Sequence, residues 1–86
     1  MPDQIWRYTL KAPVVTLEMP KGAKTLTVDA FNGVPMLRVL CSPSKPLVSR
    51  TFAICGAGLP VSEGRNIYVG TFNLLEGALV FYVFEK

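Results

Sequence analysis

Apolar side chains recur at every second position along most of this chain. In "QIWRYTLK", Trp6, Tyr8 and Leu10 alternate with Ile5, Arg7 and Thr9. "VVTLEM" follows Pro13, and "TLTVDAF" sets Leu26, Val28 and Ala30 against Thr25, Thr27, Asp29 and Phe31. "MLRVLC" sets Leu37, Val39 and Cys41 against Met36, Arg38 and Leu40, and "RTFAIC" puts Phe52 and Ile54 together. "NIYVGTFN" groups Tyr68, Gly70 and Phe72 opposite Ile67, Val69 and Thr71. A period of two belongs to half-buried strands, whose successive side chains point to opposite faces. The valines, threonines and aromatics that fill these runs suit a pleated surface.

Turn signals separate the runs. They are "PKG" at 20–22, "NG" at 32–33, "SPSKP" at 42–46, "GAGLPVSEGRN" at 56–66 and "LEGA" at 75–78. Asn-Gly between two alternating runs is a strong hairpin signal. Pro35 close behind it predicts a loop slightly longer than two residues. No stretch of ten residues has a helical stripe free of proline and glycine. The pattern predicts an all-β fold, a small antiparallel sandwich or barrel of six to seven strands, as a single domain over residues 1–86.

The last run, "ALVFYVF", is apolar on both faces. Such a strand is either covered on both sides or lies in an interface. A chain of 86 residues with 50% hydrophobic and 17% charged residues has little interior in which to hide them. Both features predict a homo-oligomer. No apolar run approaches the roughly 20 residues of a spanning helix, and "MPDQIWRYTL" lacks the features of a signal peptide. A cytoplasmic protein with no membrane partner is expected. Cys41 and Cys55, each in a strand-like run, read as free thiols in a reducing compartment.

The net charge of +3 is spread along the chain without a basic block. That argues against binding duplex nucleic acid and leaves room for a small anionic ligand. There is no histidine, which removes the commonest general base and metal ligand. The six carboxylates form no close pair by sequence. No enzyme, metal or cofactor is expected.

Two candidate ligand features remain. The first is the loop at 56–66. Gly56 and Gly58 free its backbone to form an anion nest, Arg50 and Arg65 flank it, and Thr51, Ser62 and Asn66 add donors. The alternative is a plain connection between strands whose glycines permit positive φ. No phosphate-loop or dinucleotide fingerprint is present. The second is the aromatic pair Trp6 and Tyr8, on one face of a strand, with Tyr68 elsewhere. These are either core packing or a stacking surface for a base. Arg38, the odd charge in "MLRVLC", lies either on the solvent face or in a polar cavity.

"IWRYTL", "MPKGAKTLTV", "NGVPMLRVL", "RTFAICGAGLPV", "YVGTF" and "ALVFYVFE", in that order, resemble a family of small phage-encoded β-rich proteins of unassigned function. The resemblance implies a protein made in the cytoplasm of an infected bacterial host. Small phage proteins of this style include ones that sequester the nucleotide signals of host immunity. On that resemblance, a site maps onto Arg50, Thr51, Gly56 and Gly58 with Tyr68 nearby. The expectation is a homo-oligomer that holds an ADP-ribose-like or cyclic nucleotide without cleaving it. The competing expectation is a protein-interaction module that binds a host protein or takes part in virion assembly.

Overall fold

Seven strands and no helix make up residues 2–86, the part of the chain described by the computed structural model. They are β1 (Gln4–Thr9), β2 (Val14–Pro20), β3 (Lys24–Phe31), β4 (Val34–Cys41), β5 (Leu47–Gly56), β6 (Ile67–Leu74) and β7 (Leu79–Glu85). Among the described residues there is accordingly no helix long and apolar enough to cross a membrane. A three-stranded sheet, ordered β1-β4-β3, packs on a four-stranded sheet, ordered β2-β5-β7-β6. Every pairing is antiparallel. The fold is therefore an antiparallel sandwich.

The inward positions follow the alternation of the sequence. Leu37, Val39 and Cys41 of β4 are buried with Met19 of β2, Phe52 of β5, Phe72 of β6 and Val83 of β7. Trp6 and Tyr8 of β1 pack against this core, and Tyr8 donates its hydroxyl hydrogen to the Glu18 carbonyl at 2.9 Å, bridging the two sheets. Burial pushes the Tyr8 phenol and the Cys41 thiol above their ordinary pKa values. Both cysteines are free; Cys41 is buried and Cys55 half-buried.

Two bulges break the alternation. One lies between Thr25 and Thr27, and it leaves Leu26 40% exposed while Val28 and Ala30 stay inward. Leu26 thus does not share the burial of Val28 and Ala30, with which the alternation groups it. The other lies between Tyr68 and Gly70. Val69 turns to the core, and Tyr68 moves to the outer face, away from Gly70 and Phe72. There its hydroxyl meets the Thr71 hydroxyl at 2.6 Å, and its ring meets Phe84 edge-on. A side chain three positions from its partner can share a face with it only because the bulge adds a residue.

The Asn32-Gly33 turn also differs from expectation. It is a two-residue turn, with Phe31 paired to Val34 and both turn residues at positive φ. Pro35 is tolerated because its carbonyl points outward from the hairpin and accepts from the Leu10 amide. Its missing N–H would point the same way, so no hydrogen bond to β3 is lost.

β5 and β6 lie on either side of β7 and run parallel, so residues 57–66 must cross from one end of the sheet to the other. The crossing covers part of the outer face of β7. Pro60, Val61 and Leu59 share a small pocket there with Phe84, Ala53 and Val14. Part of the second cover that a doubly apolar β7 requires is thus supplied by the chain itself. Tyr82 remains exposed beside it.

Candidate functional site

The residues singled out in the sequence fall into separate places. Arg50 lies on the inward face of β5, near the end of the sandwich opposite Gly56. Six positions separate the two, about 20 Å along an extended strand. The guanidinium is gripped by Glu85, with Nε at 2.6 Å and Nη2 at 2.7 Å from its two carboxylate oxygens. Nη1 donates to the Ala23 carbonyl, and the group lies 6.0 Å from the Phe52 ring centroid. Both side chains of the pair are 20% exposed. Hydrogen bonding to Arg50 holds the Glu85 carboxyl below the usual glutamate range, and the same bond raises the Arg50 value. Thr51 points the other way, and its hydroxyl pairs with that of Thr16 across the β2–β5 ladder at 2.9 Å.

The crossing loop presents carbonyl oxygens to a cation. Lys86 Nζ donates to Ser62 Oγ at 2.7 Å, to the Glu63 carbonyl at 2.9 Å and to Asn66 Oδ1 at 2.6 Å. Asn66 Nδ2 donates back to the carbonyls of Ser62 and Gly64. Asn66 is therefore a tie within the loop. Arg65 is exposed and stands close enough to Glu85 to help lower its pKa. Gly58 has a φ of 83° in the turn closed by the Leu59 amide on the Gly56 carbonyl. The loop is a connection tied at both ends, with Gly56 and Gly58 at one end and Asn66 and Arg65 at the other. Trp6 and Tyr8 lie across the core from it. Tyr68 is exposed on β6, paired with Phe84 and one register step from Glu85. Arg38 lies on the outer face of the small sheet, paired with Asp29 at 2.6 Å.

Sequence reading did not find the apolar end of the sandwich. The β3–β4 turn, the β6–β7 turn, the end of β5 and the connection at 10–13 meet there. Leu75 is 73% exposed, with Leu79 and Leu59 also exposed, and Phe31 (66%) and Val34 are exposed at the other tip on the outer face of the small sheet. A concavity lined by Ala30, Gly33, Asn73, Leu74, Leu75 and Leu79 joins the two hairpin tips. Among the described residues, Lys11 and Glu76 are the charged side chains in the turns and connections of this end, with Asp29 two positions from Phe31 along β3. The opposite end carries Lys21, Lys24, Lys45, Arg65 and Lys86 together with Glu63 and Glu85. Leu75 and Glu76 both adopt positive φ, at 51° and 54°. A bulky side chain there is a genuine outlier, where asparagine or glycine would fit at less cost. The available signal was the pair Leu74-Leu75 against a turn: one leucine faces the core, so its neighbour must face out.

Among the described residues, no three Cys, Asp or Glu side chains gather as metal ligands. A family model described as a domain of unknown function, DUF7352, matches residues 1–86. The chain belongs to that family. No curated protein matches it, and no solved structure does. The match spans every element of this DUF7352 domain, both ends of the sandwich included.

Proposed function

We propose that this protein is a self-associating interaction module, acting through the apolar end of its sandwich and without chemistry of its own. One observation carries the reading: Leu75 is held outward at the hairpin tip in a left-handed conformation and, with Leu74 and Leu79, lines the concavity that joins the two tips. Strain kept at an exposed apolar residue points to a use for that residue. The partner is a second copy of the chain, because homomeric interfaces resemble a core cut in half. An almost uncharged apolar end suits such an interface.

Leu75→Asn separates stability from association. Asparagine accepts positive φ, so the variant should gain about 0.5–1 kcal/mol of folding stability. It should also lose self-association by at least roughly tenfold, as an apolar anchor at an interface centre does. Sedimentation velocity and urea unfolding on the same samples measure both. Unchanged association in Leu75→Asn would remove the hairpin tip from the interface.

A second reading is sequestration of an anionic nucleotide, in keeping with the phage resemblance. Its support is that Arg65 and Tyr68 are both exposed near one end of β6. Calorimetric titration with ADP-ribose tests it: binding that Arg65→Ala weakens would favour this reading, and no heat of binding would end it for that ligand.

A further inference from the structure

The two sheets do not close fully at the apolar end. Between them, on the side of the 10–13 connection, lies a pocket of about 410 Å³, within the roughly 300–1,000 Å³ of small-molecule sites. Leu10, Ile54, Leu59, Phe72, Leu74 and Phe81 line it. Gly56 stands opposite Phe81 in the β5–β7 ladder, and the room beside it is taken by Leu59, whose Cδ1 lies 3.1 Å from where a Cβ on Gly56 would stand. Phe72 and Phe81 stack in an offset pair, with centroids 5.2 Å and planes 18° apart, and add aromatic surface to the lining. The single charged residue in the lining is Lys11, which enters no ion pair among the described residues. The pocket outside the four-stranded sheet, at about 160 Å³, is too small for a comparable ligand.

We propose that this pocket binds a small apolar or aromatic molecule bearing one negative charge, its ring or chain between the sheets and its anionic group at Lys11. Charge complementarity selects the class. One ammonium on an apolar mouth matches a carboxylate or sulfonate on a hydrophobic body. A polyphosphate would bring several charges to a wall of leucine and phenylalanine and leave most of them unpaired. The site is distinct from the hairpin tip. Lys11 and Ala12 line the pocket, Leu75 lines no part of it, and Leu74 is the one residue it shares with the concavity at the hairpin tips.

Two fluorescent probes test the assignment, anionic 8-anilinonaphthalene-1-sulfonate and neutral N-phenyl-1-naphthylamine. The parent protein should take up both saturably at one per chain. Lys11→Glu should weaken the anionic probe by roughly tenfold and leave the neutral one within about twofold, since the change is electrostatic. Added salt should erase most of that difference. Ala12→Trp, at an exposed position on the rim, should block both probes without unfolding the protein, which circular dichroism checks. Leu75→Asn should bind both probes as the parent does. Non-saturable uptake would overturn the proposal, as would Ala12→Trp binding both probes like the parent. Loss of probe binding in Leu75→Asn would also overturn it and place the probes on the hairpin tips.

Discussion

Gly70→Val should leave the protein largely unfolded at ordinary temperature. β3 and β6, from opposite sheets, pack closely at this point. A Cβ on Gly70 would stand 3.0 Å from Val28 Cγ2, 3.2 Å from Val28 Cβ and 3.5 Å from the Val28 amide nitrogen. Val28 is itself buried, so its side chain has no free space to enter. Relief would require separating the sheets. Overpacking a tight core costs about 1–3 kcal/mol for small additions and more where backbone must move. At roughly 0.05–0.15 kcal/mol per residue, a chain of this length has little reserve. Gly70→Ala should be milder, losing about 1–3 kcal/mol, and Val28→Ala should restore part of that loss in the double variant, because the two residues share one space. Urea unfolding of the four proteins measures it. Gly70→Val with parental stability would mean that the sheets do not meet there.

Arg50→Ala should cost about 2–4 kcal/mol of folding stability. The sequence offered Arg50 as a ligand contact. In the fold it satisfies both oxygens of Glu85 and the Ala23 carbonyl, and its removal leaves a half-buried carboxylate without its partner. The pair also fixes a pH dependence. Glu85 has a folded-state pKa below its ordinary value, so its contribution is complete above the unfolded glutamate pKa. It is lost as pH falls through the lowered folded value. Urea titrations from neutral pH down to about pH 3 should therefore show a loss in the parent that is much smaller in Arg50→Ala. Glu85→Gln should keep part of the hydrogen bonding and lose less stability than Arg50→Ala. Parental stability in Arg50→Ala would show that the guanidinium does not hold this end of the sandwich together.

The strands and their inward faces were legible because period two survives wherever a strand is regular. Phe52, Ile54, Leu37 and Val39 could be placed from spacing alone. Leu26 and Tyr68 could not, because a bulge shifts every side chain before it to the other face and leaves no mark in the hydrophobic pattern. Pro35 misled for a different reason: a missing N–H matters only on the side where a neighbouring strand would use it. The candidate residues around the 56–66 loop are neighbours in sequence, and a strand separates such neighbours. Arg50 and Thr51 face opposite ways, and Arg50 and Gly56 lie near opposite ends of β5. Glu85, which decides the role of Arg50, is 35 positions away along the chain. The apolar end was hidden because it is assembled from four separate turns and connections, each short and unremarkable by itself.

The most direct measurement is a concentration series of methyl NMR spectra on the parent protein. The account predicts concentration-dependent shifts and broadening at the methyl groups of Leu74, Leu75 and Leu79, with little change at Ile5 on the small sheet. Spectra that do not change with concentration, or changes centred on Val14 and Val80 on the outer face of the large sheet, would contradict the claim that copies associate through the apolar end.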